Sequence, residues 1–310
     1  MANAPAQLTI GFATPVDLWD ASFDEKQQTL ADLADAGVDQ LYMADHVSFR
    51  TGHGTDGFCE IAALSQLHPT MRVMISVYLL ALRHPLPVAR QIATMSKIAP
   101  ERFAIGVGVG GEDRHEIEIC GVDPATRGRR TDACLDIIRS LMAGETVTHH
   151  SEFFDIEDAV IRPSVVPPPP ILIGGRSNAA LSRTARYGDG WIAAWCSARR
   201  FAEAAALIDA EAAELGRTDV IWTHGYQPWI GVGDTTDEAR TRVAAAMEAF
   251  YHVPFAAFEK YTPFGTPAEV AGALCPYRDA GCSMFNLKIV AGSDAESIEA
   301  AGEVAAELRA

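Results

Sequence analysis

What most limits the fold is an alternation that runs the length of the chain. Short apolar runs rich in β-branched residues are followed, repeatedly, by longer stretches with helical spacing. Leu8–Phe12 reads as the first strand, and Ser22 with Glu25 makes a capping box for a helix that ends before Gly37. Asp39–Met43, Met71–Val77 and Phe103–Val107 read as the next three strands, with helices over Asp56–Leu67, Pro85–Ile98 and Thr126–Met142. Pro87 is tolerated in the first turn of its helix, and Cys134, Leu135, Ile138, Leu141 and Met142 share one face of theirs. Residues 144–170 end in four prolines, which neither a helix nor a central strand accepts, so an irregular surface excursion is expected there. The alternation then resumes with strands at Ile171–Ile173, Gly190–Ala194, within 220–232, and at Met284–Ile289. Helices are expected over Asn178–Tyr187, Ala198–Leu215 and Ser293–Leu308, with two more opened by Thr235 and by the Thr266–Glu269 capping box.

Eight strands alternating with helices predict an α/β fold, a (β/α)8 TIM barrel with an irregular excursion between strands four and five. An open doubly wound sheet is the rival; tyrosines and tryptophans near several strand ends favour a shared central mouth. At 310 residues the chain is long for one core, yet barrels reach this size as single domains, so residues 1–310 are expected to form one domain.

Charge and cysteine usage narrow the setting. A net charge of −16 argues against nucleic acid and anionic membranes as partners. No apolar run approaches the roughly 20 residues a membrane helix needs, and Met1–Gln7 has no leader pattern. Cys59, Cys120, Cys134, Cys196, Cys275 and Cys282 are scattered without a C-x-x-C pair, which suits reduced thiols in a cytoplasm and offers no zinc site. His149 and His150 in the excursion are too isolated to ligate a metal.

The stretch with the most chemistry is Arg102–Glu112. A buried strand runs into Gly106, Gly108, Gly110 and Gly111, where a flat group can lie against bare backbone, and then into Glu112, Asp113, Arg114 and His115. Gly106, Gly108 and Gly111 also fit G-x-G-x-x-G, but that pattern belongs to a first βαβ unit followed about 20 residues on by an acid. Here three strand–helix repeats precede it, and the corresponding region is Arg127-Gly-Arg-Arg130. A tight turn is the plainer alternative, although four glycines with a Glu and a His exceed what a turn requires.

With the elements placed, the chain resembles the bacterial luciferase-like family of flavin and deazaflavin oxidoreductases. The similar segments run nearly end to end: Ala44-Asp45-His46, Leu82–Pro85, Arg102–Glu112, Gly121–Arg130, Pro170–Ser177, Tyr187–Trp191, and Gly265–Val270 with Ala280-Gly281. The resemblance implies the same (β/α)8 barrel, and its details point to the branch that uses the deazaflavin coenzyme F420, with FMN as the alternative. Asp45 and His46 match that branch's acid–histidine pair. Ser76 and Val77 match its bulge with a non-prolyl cis peptide. Gly110, Gly111, Glu112 and His115 match the loop after strand four, and Gly174, Gly175, Arg176 and Ser177 match the loop that cradles the cofactor's side chain and phosphate. The chain departs from its relatives at Ala133, where an acid is common, and shows no sugar-phosphate grip near strand seven.

The implied roles follow. His46 is the candidate for the proton that accompanies hydride transfer, with Asp45 orienting it or bonding the cofactor. Glu112 is its candidate acid–base partner; the alternative is a helix-terminal acid favoured by the dipole. Arg176 is read as a phosphate ligand. His224 and Tyr226, which alternation points the same way, are candidates for lining a substrate cavity. The expected activity is hydride transfer between F420 and a small organic substrate. The alternatives are an FMN-dependent monooxygenase served by a reductase, and a flavin-binding relative without catalysis. Relatives of this kind often form homodimers through an apolar barrel exterior, and the sequence leaves the oligomeric state open.

Overall fold

The computed structural model describes residues 8–111 and 113–310, so Glu112 and the Met1–Gln7 reading lie outside the described residues. The first half holds β1 (Thr9–Ala13), α1 (Phe23–Asp35), β2 (Gln40–Met43), α2 (Gly57–Leu67), β3 (Arg72–Leu79), α3 (Pro85–Ile98), β4 (Phe103–Gly108), α4 (Arg114–Ile119) and α5 (Arg127–Met142). Next come β5 (Val147–His150), β6 (Asp155–Ala159), β7 (Ile171–Gly174), α6 (Asn178–Tyr187), β8 (Gly190–Ala193) and α7 (Ala198–Glu214). The chain finishes with β9 (Gly225–Tyr226), β10 (Trp229–Val232), α8 (Thr236–Tyr251), β11 (Phe264–Gly265), α9 (Pro267–Asp279), β12 (Met284–Val290) and α10 (Asp294–Arg309).

The main sheet has ten strands in the order β1-β2-β3-β4-β7-β8-β9-β12-β10-β11, and β1 also pairs with β12. The pairs β1–β2, β3–β4, β4–β7, β8–β9, β9–β12, β10–β12, β10–β11 and β1–β12 are parallel. Eight strands therefore close on themselves with helices between them, the (β/α)8 arrangement that the alternation predicts. The capping boxes at Ser22 and Thr266 form as expected. Among the described residues no helix is long and apolar enough to cross a membrane.

Three elements differ from expectation. The excursion before β7 is more regular than its prolines suggest: β5 and β6 form an antiparallel hairpin, with His150 in ion pairs to Asp155 at 2.6 Å and Glu157 at 3.4 Å. The prolines fall after it. The strand expected within 220–232 is two short ones, β9 and β10, parted by Gln227-Pro228, because proline has no N–H to give a ladder. The short helix α4 is given no bounds by periodicity, because six residues are too few for a 3.6-residue period to register; a helix start near Glu112 is only the alternative reading of that acid.

The chain divides into two compact units, one holding the residues up to Tyr42 with Ile192–Leu207 and Trp222–Ala310, the other Met43–Trp191 with Ile208–Ile221. In the first, Gly11 on β1 is level with Gln40 on β2 and Asn286 on β12. Gln40 Nε2 donates to Asn286 Oδ1 at 2.7 Å, and Asn286 donates on to Gln227 at 3.3 Å. A Cβ on Gly11 would run into Asn286 Oδ1, so a bare backbone there makes room for this buried polar layer. In the second unit β3, β4 and β7 bury apolar residues on both faces, Val73, Met74, Ile75, Ile105, Val107, Leu172 and Ile173 among them. Arg139 of α5 donates to the Tyr187 carbonyl at 2.9 Å and pairs with Asp189 at 2.7 Å, tying α5 to the end of α6.

Candidate active site

The candidate residues gather in the second unit, at the C-terminal ends of its strands, the end at which barrels of this kind bind ligands. Asp45 follows β2, and its buried carboxylate is engaged within the protein. Oδ1 accepts from the Gly57 amide at 3.1 Å and from Arg83 Nη2 at 2.8 Å, while Oδ2 accepts from the Leu79 amide at 3.0 Å. Burial raises the Asp45 pKa, against the pull of the Arg83 charge and the two amide donors. The result is an anchor that joins the end of β2 to the first turn of α2 and the end of β3, and so holds the loop that begins with His46.

His46 is half-buried, and its Nδ1 lies 3.0 Å from Glu116 Oε2 on α4. Glu116 is 2 % exposed. Its other oxygen accepts from the amides of Val47 at 2.7 Å and Ser48 at 3.0 Å. An ionised carboxylate can only accept, so opposite it Nδ1 carries the hydrogen between the two side chains, and the tautomer that this selects leaves Nε2 as an acceptor. The Phe49 ring packs on the imidazole with centroids 4.3 Å apart. Glu116 was outside the expected set. Its signal was present nonetheless: Asp113 followed three residues later by Glu116 has the spacing of a helix start. Asp113 does cap α4, accepting from the His115 amide at 2.9 Å, and it also accepts from the Arg50 amide at 2.6 Å.

Next to this pair, β3 slips register between Ile75 and Tyr78, and the Ser76–Val77 peptide is cis, the feature that the resemblance implies. The Asp45 amide donates to the Val77 carbonyl at 3.4 Å. Ser76 is buried and Val77 half-buried. Two glycines make room for the Val77 side chain: a Cβ on Gly108 would stand 2.5 Å from Val77 Cγ2, and one on Gly174 3.0 Å from Val77 Cγ1. A low apolar ledge results, with bare main chain on β4 and β7 against the two methyls of one valine.

The loops beyond the ledge are glycine-rich for a geometric reason. Gly110, Gly111 and Gly175 have φ of 72°, 142° and 124°, where side chains other than glycine are strained. Gly111, Gly175, Arg176 and Ser177 are exposed, and Gly110 is half-buried. Ser177 caps α6 by accepting from the Ala180 amide at 3.2 Å, and Trp191 Nε1 donates to the Gly175 carbonyl at 2.7 Å, which fixes that loop from behind. His115 is exposed beside the buried Glu116. Arg127, at the start of α5, was not singled out from the sequence. Its Nη2 lies 3.7 Å from the position a Gly111 Cβ would take, and its buried Nε has no hydrogen-bond partner.

His224 and Tyr226, expected in a substrate cavity, are both buried in the other unit. His224 stacks on Trp222 at 5.4 Å, and Tyr226 stacks on Tyr277 at 4.2 Å. They pack as core.

Comparison with known proteins agrees with this architecture. Residues 8–284 match the luciferase-like monooxygenase family. An uncharacterized Mycobacterium tuberculosis protein is 37% identical over 135 residues, which are 44% of this chain and 46% of that one. An F420-dependent glucose-6-phosphate dehydrogenase of Nakamurella multipartita is 31% identical over 175 residues, 53% of this chain and 51% of that one. The chain thus spans about half the length of the curated relatives it matches. Among solved structures, an F420-dependent secondary alcohol dehydrogenase in complex with an F420-acetone adduct superposes with a TM-score of 0.83 at 16% identity, over 98% of this chain and 100% of that one, and shows the same fold.

Proposed function

Because the chain belongs to the luciferase-like monooxygenase family, we propose that it is an oxidoreductase that binds the deazaflavin coenzyme F420 and transfers a hydride between it and a small organic substrate. The observation that carries this reading is the juxtaposition of the His46–Glu116 pair with the Val77 ledge. A planar ring needs a flat, apolar seat, and the hydride it exchanges leaves a proton to be placed; the two features answer those needs side by side.

The residues fit the cofactor on two counts. A Cβ at Gly108 or Gly174 would crowd Val77, so the seat exists only while those positions are bare. The orphaned Nε of Arg127 is a donor in want of an acceptor, next to a loop of exposed backbone, and suits the anionic side chain of F420. Ser76, Val77, Gly110 and Gly111 would hold the ring. Gly174, Gly175, Arg176 and Ser177, with the first turn of α6, would hold the phosphate through backbone N–H groups and the helix dipole. Asp45 and His115 would flank the ring, the first through the loop it anchors. When bound, F420 supplies the two-electron carrier. The protein's part is to exclude water, orient the substrate and move one proton at His46 Nε2, while Glu116 keeps Nδ1 protonated and the ring fixed in place. Glu112 would be a second proton-handling group, and a dimer and a cytoplasmic location remain part of this reading.

The test is a titration with F420 and FMN side by side, followed by His46→Ala. The reading expects F420 to bind more tightly than FMN and His46→Ala to lower turnover with cofactor affinity nearly unchanged. Tighter binding of FMN, with oxygen consumed on substrate addition, would establish the monooxygenase instead. Binding of neither would end both readings.

A further inference from the structure

Lys288 is one of only four lysines in the chain and lies inside a strand. Alternation along β12 puts Met284, Asn286 and Lys288 on one face. The first two belong to the polar layer with Gln40, whose Nε2 lies 3.1 Å from Met284 Sδ and 2.7 Å from Asn286 Oδ1. Lys288 is therefore one step above that layer, toward the C-terminal end of a barrel strand, where side chains serve ligands more than stability. It is level with Trp229 on β10.

Its surroundings are aromatic. The ammonium lies 4.8 Å from the Trp229 ring centroid and 5.9 Å from that of Phe250. Trp229 donates to Tyr251 Oη at 3.0 Å, and Tyr251 packs on Trp195 at 5.2 Å and on Phe258 at 5.1 Å. Among the described residues no ion pair or hydrogen bond engages Lys288 Nζ. Burial alone holds its pKa below the usual lysine value. In a chain with 41 acidic side chains a counter-charge would be easy to supply, and none is in place here. Ring contacts return only part of the hydration that an ammonium loses on entering such a site. An ammonium without an acid partner has donors to offer an anion, and the aromatic wall beside it can seat a planar apolar body.

We propose that Lys288, with the wall formed by Trp229 and Phe250, is a recognition site for an organic anion, a carboxylate or phosphoryl group attached to an aromatic or similarly flat apolar body. In calling that anion the substrate the inference rests on the oxidoreductase reading; as a binding site it does not, and it is tested without cofactor or turnover.

The test uses the full chain, tryptophan fluorescence and thermal unfolding, with benzoate, phenyl phosphate and the neutral benzamide as probes. Both anions should raise the unfolding temperature and change the fluorescence, with benzamide weaker by about tenfold or more. The tighter of the two anions identifies the group. Lys288→Met should weaken the anions about tenfold and leave benzamide unchanged, while Lys288→Arg retains most of the anion binding. Equal binding of benzoate and benzamide, or unchanged anion binding in Lys288→Met, overturns the proposal. Should Lys288→Met unfold, Lys288→Arg with Trp229→Leu decides: anion affinity that survives Trp229→Leu and falls in Lys288→Arg to the level of benzamide also overturns it. Failure here with F420 still binding would remove the anion site alone; anion binding with no cofactor binding would remove the oxidoreductase reading alone.

Discussion

Glu116 Oε2 is 3.0 Å from His46 Nδ1, and the same carboxylate holds the amides of Val47 and Ser48, so one buried acid sets both the ring of His46 and the loop that bears it. Replacing it tests whether that orientation matters to chemistry. Glu116→Gln keeps the shape and one acceptor oxygen but can donate toward Nδ1, which favours the other tautomer. Turnover is expected to fall roughly 10- to 100-fold, the range seen when a partner that orients a histidine is lost, with F420 affinity within about twofold. Steady-state kinetics with a cofactor titration separate the two; unchanged turnover would leave Glu116 a purely structural acid.

The Val77 ledge gives a steric prediction. Gly108→Ala places a methyl 2.5 Å from Val77 Cγ2, closer than carbon atoms tolerate, so either the valine or the strand end must move. Cofactor affinity should drop about tenfold or more, and Gly174→Ala, with its 3.0 Å approach, should do the same less severely. Val77→Ala removes the colliding methyls and should recover much of the affinity in the Gly108→Ala background. That recovery is a coupling that independent sites do not show. A double-mutant cycle on F420 binding reads it directly.

How much of this was legible beforehand depended on scale. Periodicity placed the barrel because the strand–helix alternation repeats around the ring and most of its elements are long enough to leave a signature; the Ser22 and Thr266 capping boxes marked helix starts to the residue. The site resisted where it is built from contacts distant in sequence. His46 and Glu116 are 70 residues apart, and nothing local to either announces the other. Gly108 and Gly174 read as bare backbone for a ligand, whereas the structure adds a second reason for their bareness, the side chain of Val77 on β3. Tyr226 alternated like a cavity residue and is buried against Tyr277, because alternation gives a face and not what covers it.

Acid should loosen the loop that carries His46. The Asp113 carboxyl is held below its ordinary value of 3.8, chiefly by the Arg50 amide and also by the amides of His115 and Glu116. A carboxylate with a depressed folded-state pKa stabilises the fold above its unfolded value and loses that contribution as pH falls through the folded one. The window therefore lies below about pH 4. Asp113 is only half-buried, so the effect is modest, no more than the ~1 kcal/mol of a helix cap. Denaturant unfolding at pH 7 and at pH 3 should show wild type losing more stability than Asp113→Asn. Equal losses would mean that the caps on α4 do not sense pH.

Arg127 provides the prediction in which stability and function part. Its Nε is buried without an acceptor, and an unmet buried donor costs about 1–3 kcal/mol. Arg127→Met keeps the stem, removes the orphan and leaves the Pro124 carbonyl, to which the guanidinium donates, near the surface turn that precedes α5. Without cofactor, the variant should unfold at a temperature equal to or above that of wild type. With F420 the order should reverse, because a ligand stabilises in proportion to the logarithm of its concentration over Kd, and a tenfold loss of affinity removes about 1.4 kcal/mol of that protection. A residue that serves only the fold would lower the unfolding temperature in both conditions by the same amount, and such a parallel drop would take Arg127 out of the cofactor site.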